Sequence, residues 1–224
     1  MKVPPALAHV DSWIFDLDNS LYSPRHGIFP RIDARMTAYI SRLTGEPEAE
    51  ARARQKAYFN EHGATLAGLI AHHDVDPRHF LEDVHAIDLA GLAPDQDLAA
   101  RIAALPGRKF VFTNGDESYA RRVLDALALA DSFDGVHDIH ACAYRPKPDA
   151  SGYTGLCERF GIDPRTALFV EDMAQNLRPA KALGMTTVWV NNGSERGSHG
   201  ADAGFIDYEI ADVAEWLASL GENA

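Results

Sequence analysis

The stretch Ser12-Trp13-Ile14-Phe15-Asp16-Leu17-Asp18-Asn19 decides the fold. A short apolar, β-prone run passes directly into two carboxylates. Such a run reads as a buried strand that delivers charge at its carboxyl end. Side chains alternate along an extended chain, so residues 16 and 18 share one side and Leu17 takes the other. Leu17 is then expected in the core, with both acids facing a site. A lone Asp-x-Asp reads first as a solvated turn or a helix cap. The apolar strand in front of it argues against that reading.

Working outward, a break at Ser23-Pro24 and Pro30 is followed by a helical pattern from Ile32 to about Leu92. Met36, Tyr39, Ile40 and Leu43 recur at helical spacing, and Thr44-Gly45 closes that run. Glu46-Pro47-Glu48 opens a second helix through Tyr58 and Phe59, which His62-Gly63 interrupts. Shorter helices are predicted over 65–72 and 77–85. No strand signal falls in this segment, so it reads as a helical insertion. After Pro94 the pattern alternates. Helices are predicted over 97–104, 119–129, 148–160, 174–183 and 213–220. Strands are predicted over 109–112, 135–140, 167–170 and 186–190, with a Gly/Ser-rich loop over 192–204. Strands alternating with helices imply an α/β fold with a parallel sheet. Such a sheet places a ligand crevice at the carboxyl ends of its strands.

The chain has 224 residues, 46% of them hydrophobic and 24% charged, which suits a globular fold with a sizeable core. Its net charge of −12 repels polyanions, so nucleic acid polymers and anionic membranes are disfavoured partners. A small anionic substrate stays possible where the site is locally neutralised. Cys142 and Cys157 make no disulfide framework, so a reducing, cytoplasmic setting is expected. Residues 1–10 hold one Lys and two prolines without a long apolar run, so no secretion signal is expected there. No stretch reaches the ~18 apolar residues of a membrane span.

Four features fall at or just beyond predicted strand ends: Asp16/Asp18, Thr113-Asn114, Lys147, and Glu171/Asp172 with Asn176. In a parallel sheet those ends share one edge. Carboxylates gathered there repel one another and would force proton uptake. A hard divalent cation relieves that repulsion, and an oxygen donor set suits Mg²⁺. One carboxylate can then act as nucleophile while its neighbour serves as acid and base. Thr113 and the turn N–H groups after it can hold anionic oxygens, or the segment is a plain strand-to-helix turn. Lys147, between Pro146 and Pro148, suits a stationary positive charge, or it is an ordinary surface lysine. Glu171 and Asp172 also fit as acids at a helix N-terminus. His72, His73, His79 and His85 are expected as solvated side chains rather than a metal site, since residues 72 and 79 do not form a four-residue helical pair.

In order, spacing and context these features resemble the haloacid dehalogenase superfamily of phosphatases. The segments that carry the likeness are Phe15-Asp16-Leu17-Asp18-Asn19-Ser20-Leu21-Tyr22, Phe112-Thr113-Asn114-Gly115, Lys147-Pro148, and Phe169-Val170-Glu171-Asp172 with Asn176-Leu177. Asp18-Asn19-Ser20-Leu21-Tyr22 and the stretch 58–69 resemble its pyrimidine 5′-nucleotidase-like branch. The resemblance implies a Rossmann-like three-layer core from residues 1–22 and 93–224, with a helical cap from 23–92. It implies Asp16 as nucleophile through an aspartyl-phosphate, and Asp18 as acid and base. It implies Mg²⁺ on Asp16, the Asp18 backbone carbonyl and Asp172, with Glu171 acting through water and Asn176 in support. Thr113, Asn114 and Lys147 would grip the phosphoryl oxygens. Tyr58 is a candidate substrate contact, although packing of the cap is the first reading for it, Tyr39, Phe59 and His72. The implied protein is a monomer or homodimer acting on a small phosphate monoester, a pyrimidine nucleoside 5′-monophosphate first. Phosphoglycolate or a sugar phosphate is the alternative. A phosphoryl mutase and an inactive binding module stand behind these, and Asp18 argues against a metal-free dehalogenase.

Overall fold

The computed structural model describes residues 3–222. Residues 1, 2, 223 and 224, which the sequence reading assigns to the core, lie outside the described residues. β1 (Ser12–Phe15) is followed by four helices, α1 (Ile28–Thr44), α2 (Glu48–His62), α3 (Thr65–His72) and α4 (Pro77–His85). Then come α5 (Gln96–Ala104), β2 (Arg108–Phe112), α6 (Glu117–Ala126), β3 (Gly135–His137) and α7 (Ala150–Phe160). The chain ends with β4 (Ala167–Glu171), α8 (Ala174–Leu183), β5 (Thr186–Val190), β6 (Tyr208–Ile210) and α9 (Val213–Glu222).

The strands form one parallel sheet in the order β3-β2-β1-β4-β5-β6. β1 therefore lies inside the sheet, with Phe15 opposite Val111 of β2 and Val170 of β4. The chain winds one way from β1 through β2 to β3, then returns to β4 on the other side of β1. That reversal leaves a crevice beyond the end of β1. Alternation sorts the side chains into two layers. Trp13, Phe15, Val111, Leu168 and Val170 pack with Ile102 of α5, Val123 of α6 and Leu217 of α9. Ile14, Phe110, Phe112 and Phe169 pack with Leu156 of α7 and Leu177 of α8. Both faces are covered, giving the three-layer α/β fold expected from the strand pattern. Leu17 is fully buried in the same layer as Trp13 and Phe15.

The helices between β1 and β2 pack on one another, α1 against both α2 and α4, and α2 against α3. Their ends follow the sequence signals: Gly45 and Gly63 take left-handed φ values of 74° and 79° as C-caps.

Several predicted boundaries move. The strand over 135–140 stops at His137, because Asp138 turns to accept the N–H groups of Glu117 and Ala141. The helix over 119–129 runs over 117–126 instead, capped by the Asp116 carboxylate on the Tyr119 N–H. The helix predicted from 148 starts at 150, where Asp149 caps it through the Ser151 N–H. β6 was not predicted. At three residues on the sheet edge it is too short to show a period.

Candidate active site

Four separate segments meet at the end of β1. Asp16 follows the last strand residue, and its N–H donates to the Val170 carbonyl of β4 at 2.8 Å. Glu171 ends β4, and Asp172 leads into α8. Thr113 follows β2, its N–H bonded to the His137 carbonyl of β3 at 3.0 Å. Lys147 arrives on the loop between β3 and α7. The backbone N–H of Lys147 donates to Asn114 Oδ1 at 2.8 Å, so Asn114 orients the lysine segment.

Lys147 is 3% exposed. Its Nζ donates to Asp16 Oδ1 at 2.7 Å, to Glu171 Oε2 at 2.6 Å and to the Phe112 carbonyl at 2.9 Å. It also lies over the rings of Phe112 and Phe169. Burial opposes its charge, but Asp16 and Glu171 outweigh burial and hold the ammonium above its ordinary range. Asp16 is pushed up to about 7, chiefly by burial and then by the Glu171 charge, against the pull of Lys147. Burial and the charges of Glu171 and Asp16 likewise raise Asp172 well above the carboxylate range.

Oxygen atoms of Asp16, Glu171 and Asp172 lie within 4.8 Å of one another, all in buried residues. One ammonium cannot balance three carboxylates packed this tightly. An all-oxygen donor set with surplus negative charge fits a hard divalent cation such as Mg²⁺. Asn176 Oδ1, buried nearby on α8, has no hydrogen-bond partner in the structure. Loop 192–197 closes this side, where the Gly197 carbonyl accepts the Ala174 N–H at 2.9 Å. A Cβ on Gly197 would stand 2.5 Å from Ser194 Oγ and 3.0 Å from the Asp172 carbonyl oxygen, so a side chain there would force its neighbours to shift.

Asp18 is half-buried and is held by two phenols that the sequence reading did not assign. Tyr22 and Tyr119 both donate to Asp18 Oδ1, Tyr119 at 2.6 Å. His85, at the end of α4, stacks on Tyr119 with ring centroids 4.3 Å apart. Its Nδ1 bonds to Asp116, whose carboxyl burial would raise; the hydrogen bonds from His85 and Ser118 prevail and hold it well below the usual range. The expectation of a solvated histidine at 85 is therefore corrected, since it is buried and paired. The one hint in the sequence was its place where the helical insertion rejoins the core. Ser20 Oγ donates to Asp16 Oδ2 at 2.9 Å.

Above these groups opens a cavity of about 200 Å³. Asp16, Asp18, Asn114, Lys147, Glu171, Asp172 and Asn176 line its floor. Phe29, Ile32, Met36, Phe59, Phe80 and Leu81 of the inserted helices supply most of its roof. Thr113 is buried beneath, its Oγ1 accepting the Gly115 N–H at 2.9 Å. Tyr58 does not reach the cavity. It is buried between α2 and α3, stacked on His72, while its neighbour Phe59 is the α2 aromatic that faces the cavity. This corrects the expectation of a substrate contact at Tyr58: one helical residue turns the side chain by ~100°.

A doubly wound parallel sheet with buried acids bridged by a lysine at its switch point defines an α/β protein with an acidic centre at the carboxyl edge of the sheet. The chain belongs to the haloacid dehalogenase-like hydrolases, whose family profile matches residues 10–184. It is 29% identical over 229 residues to a phosphoglycolate phosphatase of Rhodospirillum rubrum, covering 91% of this chain and 89% of that one. It is 28% identical over 207 residues to phosphate metabolism protein 8 of Saccharomyces cerevisiae, covering 81% of this chain. The chain spans only 63% of that yeast protein's length. A HAD phosphatase from Thermococcus onnurineus superposes with a TM-score of 0.64 at 23% identity, covering 95% of this chain and 98% of that one. An L-2-haloacid dehalogenase from Xanthobacter autotrophicus superposes at 0.58 and 16% identity, covering 96% of this chain and all of that one. At these identities the structural likeness is one of fold. Among the described residues no helix is long and apolar enough to cross a membrane, and both cysteines are free thiols.

Proposed function

We propose that this protein hydrolyses a small phosphate monoester with Mg²⁺, using Asp16 as nucleophile. The observation that carries the reading is Lys147, buried and bonded at once to Asp16 and Glu171 at one strand edge. Lys147 fixes the Asp16 carboxylate in place and supplies a positive charge where phosphoryl oxygens would lie. Asp16 attacks phosphorus in line, the ester P–O bond breaks, and an aspartyl-phosphate forms on this side chain. Asp18 gives its proton to the leaving oxygen, then takes one from the water that cleaves the intermediate. The turn at Asn114, shaped by Thr113 beneath it, would hold the phosphoryl oxygens together with Lys147. Asp16, Asp172 and the Asp18 backbone carbonyl would hold Mg²⁺, with Glu171 and Asn176 in support. The ion would neutralise charge on the phosphoryl group.

Residues 23–92 act in this reading as a cap over the crevice that excludes water and contacts the leaving group. Phe29, Phe59 and Phe80 in its lining offer aromatic faces on which a flat base can stack, so a pyrimidine nucleoside 5′-monophosphate is the substrate class we favour. Phosphoglycolate is the second reading, supported by the Rhodospirillum relative. Its carboxylate would need a cation above the floor: Lys56 is already paired with Asp33 at 2.9 Å, which leaves Arg196, bonded to the neutral Asn60 amide, as the side chain that would have to supply it. Release of inorganic phosphate from UMP, CMP, AMP, sugar phosphates and phosphoglycolate, with Mg²⁺ and with EDTA, tests both levels. Pyrimidine monophosphates should lead the panel, and EDTA should abolish turnover. Metal-independent release would overturn the mechanism, and a preference for phosphoglycolate would overturn only the substrate class.

A further inference from the structure

The turn between α2 and α3 builds a second cluster of ligating side chains, outside the cavity. His62 ends α2 with Glu61 just before it, and His72 ends α3. His62 Nε2 lies 3.2 Å from His72 Nε2, and a Glu61 carboxylate oxygen lies 3.8 Å from the same His62 nitrogen. The three donor atoms are mutually within 4.8 Å. Two imidazole nitrogens each ~2.0–2.1 Å from a tetrahedral ion stand about 3.3 Å apart, close to the spacing seen here.

The histidine rings are held by their neighbours rather than by chance. His72 stacks on Tyr58, with centroids 5.2 Å apart and planes 8° from parallel. Tyr58 is buried and its hydroxyl bonds to His73 Nε2 at 2.8 Å. Its ring seats against Gly68 of α3, where any Cβ would come within 2.4 Å of it. Glu61 and His72 are exposed, so an ion and a water ligand can enter. A plain imidazole–imidazole hydrogen bond needs one donor and one acceptor and makes no use of Glu61.

We propose that Glu61, His62 and His72 bind a borderline divalent ion of the Zn²⁺ class, with a fourth position open to water. Two neutral imidazoles and a carboxylate suit such an ion, whereas the all-oxygen cluster at Asp16 suits Mg²⁺. Gly63, next to His62, lines the cavity and faces Pro146 beside Lys147. An ion here would pin the α2–α3 turn next to the cavity and stabilise it by mass action.

The test is Zn²⁺ titration by calorimetry on chelator-stripped protein, with excess Mg²⁺ present throughout. The double variant His62→Ala/His72→Ala should bind one Zn²⁺ per chain fewer than wild type. Glu61→Gln should weaken that same ion at least tenfold. Equal Zn²⁺ stoichiometry and affinity in wild type and the double variant, or no uptake by wild type, would overturn the site. If the histidine variants fail to fold, X-ray absorption of zinc-loaded wild type decides. Two imidazoles in the zinc shell support the site, and an oxygen-only shell overturns it.

Discussion

At the scale of single residues, the contacts of Asp16 and Asp18 lead to two expected outcomes. In the proposed mechanism Asp16→Asn keeps the shape but removes the nucleophile, so phosphate release should fall at least about a thousandfold. Circular dichroism and melting should stay close to wild type, because the amide oxygen still accepts from Lys147 and the amide N–H can donate to the Ser20 hydroxyl, which rotates to accept it. Tyr119→Phe deletes one of the two phenols that orient Asp18 but keeps the ring stack with His85. Its kcat should drop by about ten- to a hundredfold with little change in KM, as expected for a group that positions an acid. Steady-state kinetics on both variants checks this. Asp172→Ala should raise the Mg²⁺ concentration needed for half-maximal rate by more than tenfold, read from a Mg²⁺ titration of activity.

At the scale of elements, the α2–α3 packing depends on a missing side chain. Gly68→Ala would push a methyl into Tyr58, and overpacking of this kind costs about 1–3 kcal/mol. Thermal melting should show a lower Tm, with the loss confined to stability if the cap re-seats. The elements also decide what was legible in the sequence. Apolar runs ending in acids at Asp16 and Glu171 marked the strand ends, because a doubly covered parallel strand is apolar throughout and only its end can be charged. Gly45 and Gly63 marked helix ends because no other residue takes their conformation as easily. Tyr22, Tyr119 and His85 stayed silent, since an aromatic at helical spacing looks the same whether it packs a core or orients an acid. The pairing of His62 with His72 was equally hidden. It spans a turn whose geometry no helical period encodes, and His79, the next histidine at near-helical spacing from His72, lies on a different helix.

At the scale of the whole molecule, acid stability should carry the mark of one buried histidine. His137 ends β3 with both ring nitrogens buried and unpartnered. Burial, then the nearby Arg159 charge, pushes its imidazole down to about 4. The unfolded chain would take up that proton near 6.5. Between pH 6.5 and 4 the unfolded state binds a proton that the folded state refuses, so this contribution is intact above 6.5 and is lost as pH falls. His137→Phe should flatten the wild-type decline over that window by up to about 3 kcal/mol, measured as the difference between urea-unfolding curves at several pH values. The position of β1 has a consequence of another kind. The earliest strand to leave the ribosome must wait for partners roughly a hundred and more residues later, since Ser12 pairs with Arg108 and with Ala167. Long-range pairing of this sort slows folding. A chain that already carries Asp16, Asp18 and Lys147 still lacks Glu171 and Asp172 until β4 is made, so the buried acidic cluster cannot assemble before then.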